Sequence, residues 1–315
     1  MNIRAAALWS ASSQYLGFII QFVSSVLIAR YFLGPEEVGI FSFAFSVSAL
    51  VHGLQDFGLS RYVIGAPEMN ENRIRLAFSV SIAVAAFIVV TLLLLARPVA
   101  NFYGGDQVHT IISIIAISYL FIPFSVVPLG LMQRRMDFRG FALVDVGANL
   151  CNFVVSITAA WYGYSSLSLA FGVFGYQIAR AIITQCFSPI FRAWPPSLKG
   201  SASVIRYGMS SSFLSLTGAV GSHAPDLIVG KVISGMALGL YSRASGLALQ
   251  IRLLVAGPIA AVFYPSLARA RDNGQDVGSH YIRLTGALCA VAWAAMAGLA
   301  VASEPLILNI YGERW

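Results

Sequence analysis

The chain has 315 residues, of which 58% are apolar and 10% charged, and it carries a net charge of +7 with a mean hydropathy of +0.77. A soluble domain carries about 25% charged residues, so these charges are too few to cover a water-facing surface, and 21 Phe, 13 Tyr and 5 Trp exclude a disordered chain. A polytopic membrane protein remains, and apolar runs of about 20 residues, twice the length of a barrel strand, make its spans helices.

In chain order the predicted spans cover residues 5–32, 38–63, 75–96, 109–132, 141–162, 166–191, 202–230, 236–263 and 281–303. The expected fold class is all-α, with about nine transmembrane helices and connectors too short for a soluble domain. The first span is too long, and too punctuated by Ser10, Ser12, Ser13, Gln14 and Gln21, to be the core of a signal peptide. Cys151, Cys186 and Cys289 lie inside apolar runs without ligand spacing and read as buried thiols. No metal site, cofactor or catalytic motif is expected.

Orientation follows from the 20 Lys and Arg. Thirteen fall on the face of the N-terminus and the connectors after spans two, four, six and eight, among them the run Arg134, Arg135 and Arg139. The opposite face has only Arg30, Arg97, Lys231 and Arg314. The N-terminus is therefore predicted to be cytoplasmic. The same loops account for the positive charge through an anionic lipid leaflet, with no call for nucleic acid.

The chain also resembles itself. Val38–Ala44 (VGIFSFA) aligns with Leu238–Ala244 (LGLYSRA), Arg30 with Lys231 before a short turn, Ile74–Leu76 with Ile282–Leu284, and Asn101–Gly104 (NFYG) with Asn309–Gly312 (NIYG). Four matches in one order define a six-helix unit, and an even number of helices makes the two copies parallel. Residues 1–195 form the expected N-terminal six-helix lobe and residues 196–315 the first three helices of a C-terminal lobe. By the same logic three further helices belong to a complete second lobe.

Ionisable groups deep in a span are functional candidates, because placing a charge there costs several kcal/mol. Arg180 falls in span six, His52 midway in span two, and Arg243 and Arg252 in span eight; His52 and Arg252 are equivalent in the repeat. This pattern predicts a cationic cavity between two related bundles, and guanidinium groups suit a pyrophosphate. An interhelical bridge from Arg180 or Arg252 to Asp145, Asp56 or Asp226 is the alternative. His223 and Asp226, one turn apart beside Pro225, form a candidate ion-coupling pair, with a kinked helix and a satisfied carboxylate as the plainer reading. Asp56 and Arg61, near the cytoplasmic end of span two, are candidate gating or interface residues.

Several stretches resemble the oligosaccharide and polysaccharide flippases, the lipopolysaccharide and exopolysaccharide exporter branch of the multidrug/oligosaccharidyl-lipid/polysaccharide (MOP) exporter superfamily. They are Ala29–Ala44, Asp56–Arg61 (DFGLSR), Gln133–Phe138 (QRRMDF), Asp226–Lys231 (DLIVGK), Leu238–Ala244, Tyr264–Arg269 (YPSLAR) and Tyr311–Trp315 (YGERW). The resemblance implies a protein of 12 or more helices in the bacterial inner membrane. Its two lobes would rock around a central cationic cleft and carry undecaprenyl-pyrophosphate-linked oligosaccharides outward, with Na+ or H+ coupling. Competing readings are a cation-coupled multidrug exporter of the same superfamily and a membrane polymerase or ligase of the same pathway. The latter is disfavoured because no sizeable extracytoplasmic loop is present to hold catalytic groups.

Overall fold

The computed structural model describes residues 3–53, 58–65, 69–103, 105–190, 202–272 and 276–315. Its regular elements are all helical: α1 (Ile3–Tyr31), α2 (Pro35–His52), α3 (Leu59–Gly65), α4 (Glu71–Tyr103), α5 (Asp106–Ser118), α6 (Pro123–Arg134), α7 (Phe138–Trp161), α8 (Leu167–Phe187), α9 (Ala202–Val232), α10 (Gly235–Asp272), α11 (Val277–Val301) and α12 (Ser303–Ile310). Two compact units result, Met1–Gly239 and Leu240–Trp315.

Local chemistry sets the ends of these helices. Pro35 opens α2, where its missing N–H costs no bond, and the Gly34 amide donates to Glu37 Oε2 at 2.7 Å. Asp137 caps α7 by accepting from the Gly140 amide at 3.0 Å. Two predicted spans are interrupted. Span two ends as a helix at His52, with the Gly53 amide still donating to the Ala49 carbonyl, and helix resumes at Leu59 in α3. Span four turns through a 3-10 segment at Tyr119–Phe121 and bends by 48° before α6, where Pro123 lacks the donor needed to continue the helix. At the other extreme α10 runs nine residues past its expected end, to Asp272, and α12 follows α11.

Helices stand at all nine predicted positions. Among the described residues, five are long and apolar enough to cross a membrane unaided, or six if the bent pair α5–α6 is one span; α2, α9 and α10 fall outside that count. The thiols differ from expectation as well: Cys186 is exposed and Cys151 and Cys289 are half-exposed. In a bundle meant for lipid, outward positions are apolar too, so an apolar neighbourhood in sequence does not mark the core.

In the first unit, helix direction alternates. The Ser165 hydroxyl donates to Glu37 Oε1, Ser166 Oγ to Gln107 Oε1 at 3.1 Å, and the Lys231 ammonium to the Phe102 carbonyl. The connectors α1–α2, α4–α5, α7–α8 and α9–α10 therefore meet at one end. At the other end Arg134 Nη1 donates to the Val63 and Ile64 carbonyls at 3.2 and 3.3 Å, closing the last turn of α3. A core of Ile88, Leu92, Ile111, Ile112, Ile115 and Leu238, all fully buried, lies between.

The second unit holds most of α10 with α11 and α12. Asp276 caps α11, accepting from the Gly278 and Ser279 amides at 2.9 and 3.3 Å. The Arg243 guanidinium lies 5.6 Å from the centre of the Trp315 ring. That ring packs on Tyr311 at 6.1 Å.

Candidate ligand cavity

A cavity of about 540 Å³ opens inside the first unit, with walls from five long helices and the 3-10 turn. Helix periodicity selects its lining. On α2 Phe45, Ala49 and His52 recur at steps of four and three; on α7 Asn149 and Asn152 are three apart; on α9 Ala219 and His223 are four apart. Gln21 of α1, Tyr119 of the 3-10 turn, and Val173, Tyr176 and Gln177 of α8 complete the wall.

Four amides stand in this mainly apolar wall. Gln21 Nε2 donates to Asn149 Oδ1 at 2.9 Å, and Asn149 Nδ2 donates to the Asp145 carbonyl at 2.8 Å, so that pair is fixed. Gln177 is only 6% exposed, and its Oε1 is enclosed without a hydrogen-bond partner. An enclosed acceptor left unpaired is costly, which favours a ligand or water that donates to it. Two rings add flat surface: Tyr119, met edge-on by His52 at 5.0 Å, and Tyr176.

On α9, His223 Nδ1 stands 3.7 Å from Asp226 Oδ2, and the same carboxylate oxygen accepts from Ser46 Oγ at 2.8 Å. The Phe45 ring meets the His223 ring edge-on at 6.2 Å. The sequence-predicted pair His223 and Asp226 is thus one cluster, with His223 facing the cavity and Asp226 held by α2.

The other predicted residues are placed as follows. His52 is the exposed last residue of α2 rather than the middle of a continuous helix. Arg180 is half-exposed on α8, its guanidinium 5.9 Å from the centre of the Tyr176 ring, and its charge acts on Asp145. It borders the cavity through Tyr176 without lining it. Arg243 and Arg252 belong to the second unit, Arg252 exposed on α10. Asp56 lies outside the described residues, as does the Arg61 side chain, which α3 carries. His52 and His223 therefore share one cavity, while the arginines do not line it. Sequence reasoning missed Gln21, Asn149, Asn152 and Gln177 as a set. Their signal was present, since uncharged amides inside apolar runs also need partners, but a search for charges passes over them.

Among the described residues the architecture of the chain is all-helical. It is shared by a solved structure described as the inward-facing conformation of a multidrug resistance MATE family transporter of the MOP superfamily, with a TM-score of 0.63 and 16% identity over 93% of this chain and 70% of that one. The fold is thus of the MOP type. The chain belongs to the polysaccharide biosynthesis protein family, whose profile matches residues 27–315, and with its apolar helices it is a multi-pass membrane protein. Among curated relatives, lipopolysaccharide biosynthesis protein WzxC of Escherichia coli (strain K12) is 20% identical over 99% of this chain and 63% of its own length. Teichuronic acid biosynthesis protein TuaB of Bacillus subtilis (strain 168) is 21% identical over 100% and 65%. Succinoglycan biosynthesis transport protein ExoT of Rhizobium meliloti (strain 1021) is 21% identical over 98% and 62%. The chain thus spans just under two thirds of the length of the curated relatives it matches.

Proposed function

We propose that this chain is part of a flippase of the bacterial inner membrane that exports lipid-linked oligosaccharides for lipopolysaccharide or exopolysaccharide synthesis. It moves its substrate by alternating access between an N-terminal lobe, residues 1–195, and a C-terminal lobe begun by residues 196–315, and it makes or breaks no bond in it. The carrying observation is the amide-lined cavity in a member of a polysaccharide biosynthesis family. Each amide offers a donor and an acceptor, the pairing that sugar hydroxyls need, and the Tyr119 and Tyr176 faces suit sugar rings. A cavity without a guanidinium in its wall suits the neutral sugar part. The undecaprenyl pyrophosphate falls to Arg180 and Arg252, with Arg243 contacting sugar or phosphate and His52 at the cavity edge. Asp226 and His223 couple movement to H+ or Na+, and Asp56 and Arg61 serve the cytoplasmic end, where the N-terminus also lies.

Replacing Arg180 or Arg252 by Gln in the intact protein is expected to abolish polymer export while the protein stays in the membrane; normal export by both variants overturns the pyrophosphate assignment. Asp226→Asn keeps an acceptor for Ser46 but removes the charge. It should abolish the dependence of export on an ion gradient, and unchanged dependence retires the coupling role. The fold likeness to a MATE transporter favours one second reading, a cation-coupled multidrug exporter. Efflux of lipophilic cations by the intact protein, unaffected by loss of Arg180, would select it.

A further inference from the structure

A second cavity, of about 500 Å³, opens in the first unit, at the end where the α1–α2, α4–α5, α7–α8 and α9–α10 connectors meet. Five helix ends supply its polar lining: Glu36 from the first turn of α2, Tyr103 closing α4, Asp106 and Gln107 opening α5, Lys231 from the last turn of α9, and Ser234 ahead of α10. Two of these ends are fixed to each other. A Cβ on Gly39 would come within 1.8 Å of the Gly235 carbonyl oxygen, and one on Gly239 within 1.7 Å of the Pro35 carbonyl oxygen, so α2 and the first turn of α10 touch backbone to backbone. Other groups in the wall are held as well. Phe43 stacks on the Tyr103 ring at 4.0 Å and 22°, and Gln107 Oε1 accepts from Ser166 Oγ. The Lys231 ammonium donates to the Phe102 carbonyl and stands 4.1 Å from the centre of the Phe102 ring.

The chemistry of this wall differs from that of the first cavity, which has no carboxylate; here there are two, Glu36 and Asp106, on separate helices. Two carboxylates against one ammonium, itself engaged on Phe102, disfavour a phosphate or any other anion. Nor does the donor set suit a metal ion, since among the described residues no three acidic, His or Cys side chains gather. Acceptor oxygens on Glu36 and Asp106 beside N–H donors on Gln107 and Lys231 do suit a polyol, whose hydroxyls each give one proton and accept another. The Tyr103 hydroxyl adds a group in need of a partner. It is enclosed without a hydrogen bond, next to Gly235, where a Cβ would come within 3.0 Å of it. An enclosed hydroxyl left unpaired is costly, and a ligand hydroxyl that reaches it removes that cost.

We propose that the second cavity is a carbohydrate site distinct from the amide-lined one, taking neutral or amino-sugar units and rejecting uronic acids, with Glu36 and Asp106 as the selecting residues. Its use rests on the export reading: it is a second station for the same sugars, at the end of the bundle that the proposed orientation sets outside.

Protection of single cysteines from a maleimide tests this in the intact protein, with Cys151, Cys186 and Cys289 replaced by Ala. Ile40→Cys reports the second cavity and Ala49→Cys the first. The probes are free oligomers of glucose, glucosamine and galacturonic acid of equal length, with spermine as a cation that carries no hydroxyl. At about ten times its dissociation constant a bound sugar slows labelling about tenfold. The glucose and glucosamine oligomers should do so at Ile40→Cys, and the galacturonic acid oligomer should not. Glu36→Gln together with Asp106→Asn should weaken binding of the glucosamine oligomer about tenfold or more, the loss of charge-assisted hydrogen bonds, and admit the galacturonic acid oligomer. Tyr103→Phe removes one hydroxyl from a ring that Phe43 keeps in place, and should weaken both sugars by a smaller factor. If the double variant fails to fold, Tyr103→Phe and the comparison of the three sugars on the parent decide.

 Equal protection of Ile40→Cys by the glucosamine and galacturonic acid oligomers, or protection by spermine as strong as by the glucosamine oligomer, overturns the site. Protection of Ala49→Cys alone also overturns it and leaves the export reading standing. Protection of Ile40→Cys alone keeps the site and removes the sugar assignment of the first cavity, and protection at neither position removes both. Because the assay uses free sugars and no transport, failed export leaves the site standing.

Discussion

Helices α2 and α10 start alike and end differently. Val38–Ala44 and Leu238–Ala244 share a glycine and a serine at the same places, and Gly39 and Gly239 lie at the same backbone crossing. Fourteen residues further on, Gly53 stands where the repeat has Leu253. There α2 stops, whereas α10 continues through Arg252 and on to Asp272. The repeat thus specifies the contact, which depends on two absent Cβ atoms, while the course of each helix beyond it answers to its own residues. Glycine costs about 1 kcal/mol in a helix interior relative to leucine or alanine, enough to favour a break where the surroundings permit one. The break places His52 at the edge of a cavity, and its repeat partner Arg252 sits within an unbroken helix.

The comparison breaks most severely at the crossing itself. Gly39→Leu or Gly239→Leu must force the two backbones apart, and each is expected to destabilise the intact protein by about 3 kcal/mol or more, read as a lowered unfolding temperature in detergent. Unchanged stability in both would mean that no such contact forms. Gly53→Leu makes α2 resemble α10. A Cβ at Gly53 would already stand 3.1 Å from the Ala219 Cβ at the cavity wall, so a leucine side chain should narrow the cavity. Export should fall by about tenfold while stability shifts by about 1 kcal/mol; full export would show that the break is not needed for passage.

The first turns sharpen the comparison further. Glu37 closes the start of α2, whereas in α10 the Ser234 hydroxyl accepts from the Ala237 amide at 3.0 Å. Ser234→Ala should cost about 1 kcal/mol, measured by thermal unfolding. The smallest effect is expected at α11. The Ser279 hydroxyl and the Gly278 and Ser279 amides hold the Asp276 carboxyl below its ordinary value. A depressed carboxylate stabilises the fold above the unfolded-state value and loses that contribution as pH falls through the lower folded value. Asp276→Asn should therefore remove a small acid-side decline in stability, seen by comparing unfolding midpoints at neutral pH and below pH 4; identical acid-side slopes would contradict the cap.

Much of this fold was legible because lipid leaves few choices. Composition dictates helices, and the match of Gly39 with Gly239 marks two positions that prove to be a crossing. The breaks were harder to read. The run from 38 to 63 turns polar at His52, Gln55 and Asp56 around Gly53, but His223 and Asp226 stand inside the unbroken α9, so only the folded context decides that the helix ends there. The bend at Pro123 has the same character, since prolines also stand inside α4, α6 and α9. At the candidate site, rarity of charge drew attention to the arginines. The structure sets four amides in a mainly apolar cavity wall instead, because neutral polar groups are cheaper to hold among membrane helices and can still pair with one another, as Gln21 and Asn149 do. His223 and Asp226 were readable from their spacing; the Ser46 bond that joins them to α2 spans 180 residues and was not.

The most direct test of the sugar-binding assignment is the affinity of the intact protein for a fluorescent lipid-linked oligosaccharide, compared with that of a variant carrying both Asn152→Leu and Gln177→Leu. These substitutions leave the Gln21–Asn149 pair and all three arginines in place. If the cavity receives the sugars, loss of two hydrogen bonds of about 1 kcal/mol each weakens binding about thirtyfold with little change in unfolding temperature. Equal affinity in parent and variant would contradict the assignment and place the oligosaccharide elsewhere in the protein.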